Sequence, residues 1–399
     1  MIIGILTGGG DVPPLNSVLF SARKKTVENN VELIGFKNGW LGVLNNDTVL
    51  MNNSKDFSCI GGTFLKSSRV NLQSVNNGVE KANSVISSLE LDGLIIIGGD
   101  DTLSNAYYIS ETPCILISKT IDNDIGIIPT EDTIVPENII NYFTLGYPTA
   151  IEKIISFASY DTGIRTTAYS HERIMILESM GMHSGWLALA AGMANPDFVI
   201  IPEFPLDYTE FCNKLVSLYQ KQHHAIIVIA EGATMKGAGY IKANYQESDD
   251  YNHPRFGGAS YALRDMLKRD LERYFNTRNI NAVNPSYIYR SGIPNRLDKE
   301  VSEKLGEIAI SKILNHKVNE HIFLSTQYKN GEYQIEPVPL SKFSKTKDDR
   351  FPKRSVPPLF YDMKNYKITP IAKQYFSKII DEEKFNINEK LLKEYYGFH

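Results

Sequence analysis

Two adjacent aspartates follow a run of apolar residues in the stretch LIIIGGDDTLSN, at residues 94–105. The apolar run has the composition of a buried parallel strand, and two glycines separate it from Asp100 and Asp101. Neighbouring carboxylates repel each other unless a ligand supplies compensating positive charge. The stretch therefore predicts a ligand site at the end of a strand.

A second acidic segment, KTIDND, occupies residues 119–124. Asp100 is suited to hold Mg²⁺, because that ion needs few protein carboxylates and keeps substrate oxygens in its shell. Asp122 could accept a proton from an alcohol, and Lys119 could offset charge on a moving phosphoryl group. Together these groups are the minimum for phosphoryl transfer. Taken alone, TIDND is better explained as a loop whose Asp and Asn side chains form turns.

Glycines mark two further turns. Gly8, Gly9 and Gly10 in TGGGDVPPLN follow a predicted strand and precede a helix that begins near Pro14. Such a turn lets backbone N–H groups approach a phosphate, although a tight strand-to-helix connection explains it equally well. It is neither a dinucleotide fingerprint nor a Walker loop. In GGTFLKSSR, Arg69 could reach a phosphate or could simply be a solvated arginine.

Length and composition exclude several classes of protein. The 399 residues suffice for two domains, and 42 basic against 46 acidic residues give a net charge of −4, which argues against nucleic-acid or anionic-membrane binding. Three widely spaced cysteines indicate neither disulfides nor zinc. The apolar N-terminus lacks the basic region of a signal peptide, and no apolar run approaches the roughly 20 residues that span a bilayer. We expect a cytoplasmic protein.

Apolar runs alternate with amphipathic stretches, which is typical of strand–helix units around a parallel sheet. Strands are predicted at residues 2–6, 93–97, 115–118, 173–177, 198–201 and 225–230. Each ends in a polar or glycine-bearing segment, and ligands of open α/β sheets bind beyond these carboxyl ends. Further along, we expect a loop or lid at 232–258, helices at 260–275 and 299–314, a charged surface connection at 342–358, and a short polar helical tail.

Nine stretches in order carry a resemblance to the phosphofructokinase family, from residue 3 to about residue 306: LTGGGDVPPLN, NGWLGVL, GGTFLKSSR, IIIGGDDT, KTIDNDI, HERIMILESMGMHSGWLALAAG, VIIPE, VIAEGA and YIYRSGIPNRLDKEVSEKLG. Each alone is weak, but nine in order leave little room for chance. The resemblance implies an α/β fold of two lobes with parallel-sheet, Rossmann-like α/β/α layers. The implied donor lobe is 1–150 plus about 289–340, and the sugar-phosphate lobe is 151–288 plus about 341–399.

The resemblance also bears on the phosphoryl donor. Family members that use ATP usually have glycine where Asp101 and Lys119 stand, whereas members that use pyrophosphate resemble this sequence at both positions. A carboxylate at the place of a nucleotide's α-phosphate fills its space and repels it, by about 4 kcal/mol for unit charges roughly 4 Å apart at an effective dielectric near 20. Pyrophosphate is therefore the expected donor.

The resemblance assigns roles to residues position by position. Asp122 would be the proton acceptor, with Thr120, Ile121 and Asp124 beside it. Donor binding would involve Gly9, Gly10, Arg69, Asp100, Asp101 and Lys119, with Mg²⁺ on Asp100. The sugar would be held by Met180, Gly181 and Glu231, and its 6-phosphate by Arg173, Tyr287 and Arg290. The family also implies a homo-oligomer, either a dimer or a tetramer.

Three features of this sequence depart from the family pattern, and all three concern the phosphoryl acceptor. Met182 replaces an arginine expected near the transferred group, and Asn281 stands where many relatives have an arginine contributed by a neighbouring subunit. An insertion at 126–141 could reshape the acceptor site. Fructose 6-phosphate is the leading acceptor; the alternatives are another sugar phosphate, such as sedoheptulose 7-phosphate, or a weakly active regulatory subunit. A kinase of the NAD or lipid type with GGDG-like turns is disfavoured by KTIDND and YIYR.

Overall fold

The computed structural model describes residues 1–51, 55–129, 134–160, 162–242, 258–315, 320–343 and 351–381. The chain divides into two compact units. The first unit is Met1–Thr149 with Arg290–Arg354, and the second is Ala150–Tyr289 with Ser355–His399. Among the described helices, none is long and apolar enough to cross a membrane.

Fifteen strands are described: β1 Ile2–Thr7, β2 Glu32–Phe36, β3 Thr48–Leu50, β4 Gly93–Gly98, β5 Cys114–Ser118, β6 Ile174–Ser179, β7 Phe198–Ile200, β8 Ala225–Ala230, β9 Thr234–Met235, β10 Gly239–Tyr240, β11 Ile280–Val283, β12 Ile322–Lys329, β13 Glu332–Pro339, β14 Tyr361–Asp362 and β15 Lys367–Ile368. The described helices are α1 Leu15–Glu28, α2 Trp40–Asn45, α3 Gly78–Ser88, α4 Asp100–Ser104, α5 Tyr147–Ala158, α6 Arg165–Ser170, α7 Trp186–Ala190, α8 Tyr208–Gln222, α9 Ala259–Asp270, α10 Arg296–Leu314 and α11 Pro370–Phe376.

A seven-stranded sheet, in the order β13-β12-β5-β4-β1-β2-β3, forms the centre of the first unit. Its inner pairs are parallel, and only the two edge pairs, β2 with β3 and β12 with β13, are antiparallel. Every residue of β4 and β5 is buried. Helices α1 and α10 lie so close that a Cβ at Gly306 would be 2.1 Å from the Ser21 hydroxyl. A side chain at position 306 would therefore separate the two helices.

The second unit contains a four-stranded sheet in the order β11-β6-β8-β7, and all its pairs are parallel. Both central strands, β6 and β8, are fully buried. Buried parallel strands of this kind read as continuous apolar runs, which is why the sequence identified them.

The α/β prediction with parallel sheets is confirmed. All six predicted strands are present, and their ends differ from the prediction by no more than two residues. The helix predicted at 299–314 is α10, which begins three residues earlier because Asn295 caps it by accepting the N–H of Asp298 at 2.9 Å. The helix predicted at 260–275 is α9, which ends at Asp270. Within the predicted loop at 232–258, β9 and β10 pair, and residues 243–257 lie outside the described residues.

The prediction of a surface connection at 342–358 is wrong for its described later part. Phe351, Arg354 and Val356 are buried, and the ring of Phe351 packs against those of Phe323 and Phe343. Residues up to Arg354 consequently belong to the first unit, so that its second segment extends beyond the expected limit near residue 340. The prediction failed because charged residues between prolines are usually exposed, whereas Arg354 is buried with hydrogen-bond partners.

The C-terminal helix α11 is less polar than predicted. Its residues Ala372, Tyr375 and Phe376 are buried, and the ring of Tyr375 lies 5.4 Å from that of Trp186. The rest of the predicted tail, from residue 382 onward, lies outside the described residues. Helix α11 is therefore part of the core of the second unit.

Arg354 ties its segment to the loop after β5. Its guanidinium donates to the Asn123 carbonyl and side-chain oxygens at 2.8 and 2.6 Å and to the Asn141 and Tyr142 carbonyls at 2.7 and 3.1 Å. The Arg354 N–H also donates to the Asp124 carbonyl at 2.6 Å. The conformation of the TIDND loop thus depends on a residue from the distant end of the chain.

Arg354→Met should lower the free energy of unfolding of the first unit by about 2–4 kcal/mol, because several buried acceptors lose their donor at once. Urea unfolding followed by tryptophan fluorescence would measure the change. Arg296→Met, at a side chain that is 90% exposed, should change stability by less than about 0.5 kcal/mol. Equal effects of the two substitutions would show that Arg354 is not a structural tie.

Candidate active site

Three loops meet at the carboxyl ends of β1, β4 and β5, which are neighbours in the first sheet. Backbone hydrogen bonds join the loops: the Gly8 N–H donates to the Ile97 carbonyl at 2.9 Å, and the Lys119 N–H donates to the Gly98 carbonyl at 2.9 Å. The structure therefore brings together TGGGD, GGDD and KTIDND, as the parallel arrangement of the strands requires.

The glycine turn after β1 leaves room for two cationic side chains. A Cβ at Gly9 would lie 2.9 Å from the Lys119 ammonium nitrogen, and a Cβ at Gly10 would lie 2.2 Å from Arg290 Nη1. Gly9 also has a φ of 81°, which other residues rarely adopt. Both glycines are thus needed for the close approach of positive charge to the backbone.

The backbone of the turn is itself engaged. The Lys119 ammonium donates to the Gly10 carbonyl. The Gly9 N–H, which the resemblance directs toward donor phosphates, donates to the Ser68 carbonyl at 2.9 Å, and the Ser67 hydroxyl donates to the Gly9 carbonyl at 2.5 Å. A phosphate that used the Gly9 N–H would have to displace the bond to Ser68.

Lys119 is buried, with 2% of its surface exposed. Its pKa is lowered to about 7, chiefly by burial and also by the positive charges of Arg290 and Arg69, while Asp11 and Asp122 oppose the shift. Three cations crowded at one turn repel each other unless an anion lies among them. This part of the site is consequently suited to a polyanion.

Arg290 lies in the first unit, against Gly10. The resemblance assigned it to the 6-phosphate of the acceptor, together with Arg173 and Tyr287. In this structure its guanidinium belongs to the cationic group with Lys119 and Arg69. Its assignment to the acceptor phosphate stays a prediction.

Four aspartates form the acidic part of the same edge. Asp100 and Asp101 open α4, and Asp122 and Asp124 lie in the loop after β5. Burial raises the pKa of Asp124, and the charges of Asp122 and Asp100 raise it further, whereas Lys353 opposes the shift. The opposing lysine was missed by the sequence reasoning.

Lys353 approaches two of these carboxylates. Its Nζ lies 2.9 Å from Asp100 Oδ2 and 3.6 Å from Asp124 Oδ2. Burial disfavours its protonated form, but Asp100 and Asp124 outweigh that effect and raise its pKa. In the sequence, Lys353 and the adjacent Arg354 look like any exposed basic residues. No sequence signal could therefore have identified Lys353 as a partner of the aspartates.

Asp100 and Asp124 could together hold a divalent metal ion, because an oxygen of each faces the same cation. Among the residues that the structure describes, no group of three or more His, Cys, Asp or Glu side chains could hold a metal. Two carboxylates fit Mg²⁺, which is usually bound by one or two protein carboxylates together with substrate phosphates and water. Asp100 as a metal ligand stays a prediction, and Asp124 is a second candidate because its carboxylate faces the same cation.

The loop that carries Asp122 is held firmly. The Asp122 N–H donates to the Thr120 hydroxyl at 3.1 Å, and the Thr144 hydroxyl donates to the Thr120 carbonyl at 2.6 Å. Asn123 has a φ of 52° and accepts from Arg354. Asp122 and Thr120 are half-buried and Ile121 is buried, so Asp122 and Thr120 have surface for a substrate and Ile121 packs in the core.

In the second unit, Met180, Gly181, Met182 and Glu231 gather at the carboxyl ends of β6 and β8. The Gly181 N–H donates to Glu231 Oε1 at 3.0 Å, and the Gly232 N–H donates to the Gly181 carbonyl at 3.2 Å. Gly181 has a φ of 129°, and a Cβ there would lie 2.2 Å from the Ser184 carbonyl oxygen. The two loops are therefore locked together.

Arg173 is not part of that group within one chain. It immediately precedes β6, whereas Met180 immediately follows it. Six residues of extended strand separate them by roughly 20 Å. The Arg173 guanidinium donates to the Thr167 hydroxyl at 2.6 Å. Asn281, on β11, pairs with Met175 and so lies near the same amino end of the sheet.

Tyr287 is 72% exposed, whereas its neighbour Tyr289 is buried and donates to the Glu178 carbonyl at 3.0 Å. The Glu178 side chain accepts from Gly258, Ser260 and Asn284, so it caps α9 rather than facing a substrate. Glu203, the last residue of the VIIPE stretch, accepts the N–H groups of Gly185 and Val356 at 2.9 and 3.2 Å. Burial raises the pKa of both carboxyl groups.

Comparison with known proteins gives a consistent result. The family model described as Phosphofructokinase matches residues 2–313. A protein of Dictyoglomus thermophilum named pyrophosphate–fructose 6-phosphate 1-phosphotransferase is 34% identical, over 91% of this chain and 97% of its own. ATP-dependent 6-phosphofructokinase 3 of Streptomyces coelicolor is also 34% identical, over 78% of this chain and 87% of its own.

Solved structures share the fold. The crystal structure of a pyrophosphate-dependent phosphofructokinase from Marinobacter aquaeolei superimposes with a TM-score of 0.77 at 19% identity, covering 95% of this chain and 92% of that one. A structure from Nitrosospira multiformis gives 0.76 at 18% identity, with coverage of 95% and 92%. At this identity the likeness concerns the fold.

Lys119→Met should change how stability depends on pH. The lysine binds its proton with a pKa of 10.5 when unfolded and about 7 when folded, so between these values the unfolded chain binds more protons and wild-type stability rises with pH. The mutant lacks this rise. Its stability relative to wild type should therefore fall by about 2–4 kcal/mol from pH 6.5 to pH 10, as measured by urea unfolding.

Lys24→Met, at an exposed lysine of α1, is the control and should follow the wild-type pH dependence. If the free energies of unfolding of wild type and Lys119→Met changed with pH in the same way, the pKa of Lys119 would not be lowered in the folded protein.

Proposed function

Because this chain belongs to the phosphofructokinase family, we propose that it transfers a phosphoryl group from pyrophosphate to the 1-hydroxyl of fructose 6-phosphate. The products are fructose 1,6-bisphosphate and phosphate, the reaction is reversible, and it depends on Mg²⁺. The observation that carries this proposal is the buried Lys119 ammonium beside Gly10, within the same edge as Asp101 and Asp122. A relative named for pyrophosphate and one named for ATP are both 34% identical to this chain, so the proposed choice of donor rests on these side chains.

The charges favour a small inorganic donor. Lys119, Arg69 and Arg290 offer positive charge to a diphosphate around the glycine turn. Asp101 opposes the additional phosphate of a nucleotide by about 4 kcal/mol at roughly 4 Å and an effective dielectric near 20. The site thus attracts two phosphates and repels a third.

The transfer step uses residues that are already held in place. The Asp122 carboxylate accepts the proton of the sugar's 1-hydroxyl as that oxygen attacks phosphorus, while the bond to the leaving phosphate breaks. Lys119 offsets the charge that develops on the leaving phosphate. An Mg²⁺ ion held by Asp100 and Asp124 would neutralise further phosphate charge. A donor anion beside Lys119 favours its protonated form, so donor binding above pH 7 takes up a proton.

The acceptor is expected in the second unit, on the locked loops of Met180, Gly181 and Glu231. Met182 supplies no positive charge there. Arg173 lies at the opposite end of β6, so it can bind the same sugar phosphate only if another copy of the chain supplies it. This placement supports a homo-oligomer, a dimer or a tetramer.

A matrix of donors and acceptors tests the proposal. Pyrophosphate or ATP would be combined with fructose 6-phosphate or sedoheptulose 7-phosphate, and the bisphosphate product detected by mass spectrometry. Turnover with pyrophosphate and fructose 6-phosphate is expected. Turnover with ATP but not with pyrophosphate would refute the donor assignment. A preference for sedoheptulose 7-phosphate would replace fructose 6-phosphate as the acceptor. Binding of a sugar phosphate without any turnover would indicate a regulatory subunit.

Asp101→Gly combined with Lys119→Gly should lower kcat/KM with pyrophosphate and raise it with ATP, because space and charge for a nucleotide become available. Steady-state kinetics with both donors would measure the switch. Asp101→Asn is the matched control, because it removes charge but little volume and should give only part of the change. Unchanged donor preference in the double mutant would contradict the electrostatic explanation.

Asp122→Asn should reduce kcat about 10²- to 10⁴-fold with little change in KM, because an amide cannot accept the proton. Asp56→Asn, at an exposed aspartate of the same unit, should keep kcat within about twofold. If Asp122→Asn retained wild-type kcat, another group would be the base.

A further inference from the structure

Lys353 occupies a position that a metal ion would need. Its ammonium nitrogen is 2.9 Å from Asp100 Oδ2 and 3.6 Å from Asp124 Oδ2, so one cation already faces both carboxylates. Mg²⁺ binds oxygen at about 2.0–2.1 Å. An ammonium group cannot remain against the same oxygen when a divalent cation binds there, because the two positive charges repel and their volumes overlap.

The backbone on both sides of Lys353 is anchored. Phe351 packs among the rings of Phe323 and Phe343, and Arg354 is held by the buried oxygens of Asn123, Asn141 and Tyr142. The Lys353 side chain itself is 42% exposed. A fixed backbone with a long, exposed side chain lets the ammonium leave Asp100 without any change in the fold.

Charge balance gives the ammonium a reason to stay until a ligand arrives. Asp100, Asp101, Asp122 and Asp124 share this edge, and Lys353 ion-pairs with two of them. Free metal must compete with this internal cation. Metal that arrives with a diphosphate brings oxygens that the displaced ammonium can bind.

We propose that Lys353 is a positioning residue that holds Asp100 and Asp124 in the metal-free enzyme and gives way only when metal arrives together with the diphosphate donor. The inference rests on the proposed function, because it takes pyrophosphate as the donor. Lys353 lies beyond residues 2–313, the part of the chain that the family model matches. The lysine therefore lies in the C-terminal segment, whereas the two carboxylates that it holds lie in the matched portion.

Binding of Mn²⁺ to the full-length protein tests the inference, measured by electron paramagnetic resonance without any substrate. Lys353→Met should bind free Mn²⁺ about tenfold more tightly than wild type, because the competing ammonium is absent. This factor corresponds to about 1.4 kcal/mol in the free energy of Mn²⁺ binding. Lys353→Arg should keep the weak wild-type affinity. Lys342→Met, at an exposed lysine of the same segment, removes the same charge and should also bind as wild type does.

Imidodiphosphate, in which nitrogen replaces the bridging oxygen, then serves as an analogue of the diphosphate donor. It should strengthen Mn²⁺ binding to wild type by more than it strengthens binding to Lys353→Met. In steady-state assays the variant should show a lower KM for free metal at low donor concentration. Equal Mn²⁺ affinity in wild type and Lys353→Met would overturn the inference.

Wild-type protein offers a second test if Lys353→Met does not fold. Acetylation of Lys353 by an N-hydroxysuccinimide ester should become faster when Mn²⁺ and imidodiphosphate are added, because the ammonium leaves its carboxylates; acetylation of Lys342 should not change. No change at Lys353 would refute the inference. An enzyme that uses only ATP would instead refute the proposed donor, while the Mn²⁺ measurements made without substrate would still decide whether Lys353 competes with metal.

Discussion

The burial of the Lys119 ammonium against the Gly10 carbonyl is the interaction on which the proposed donor site depends. It requires glycine at positions 9 and 10, since any side chain there would collide with Lys119 or Arg290. It also keeps an ammonium in a position where burial and two arginines disfavour its charge. A bound polyanion would favour the protonated ammonium, so this arrangement of charge suits a ligand rather than the stability of the fold.

Groups of opposite charge adjoin along one edge of the first sheet. Cations surround the glycine turn after β1, and aspartates follow β4 and β5. A metal diphosphate is complementary to this edge, because its negative oxygens suit the cations and its metal ion suits the aspartates. Under the proposed function, the glycine turn and the acidic loops would therefore act together on such a complex.

The sequence predicted what local patterns encode. The strands and the loops after them were predictable because buried parallel strands are continuous apolar runs and their ends carry polar residues. The contributions of Lys353 and Arg354 were not, because a charged side chain looks the same whether it meets water or a partner 231 positions away in sequence. The structural role of Glu203 likewise shows only in its contacts with Gly185 and Val356.

The tie between Arg354 and Asn123 also orders events during synthesis. The ribosome adds roughly 5–20 residues per second, so the 231 positions between the two residues correspond to about 10–50 s of translation. During that time the early strands can pair while the loop that carries Asp122 still lacks its guanidinium. A nascent chain can thus hold a folded sheet well before the loop that carries Asp122 gains the hydrogen bonds of Arg354.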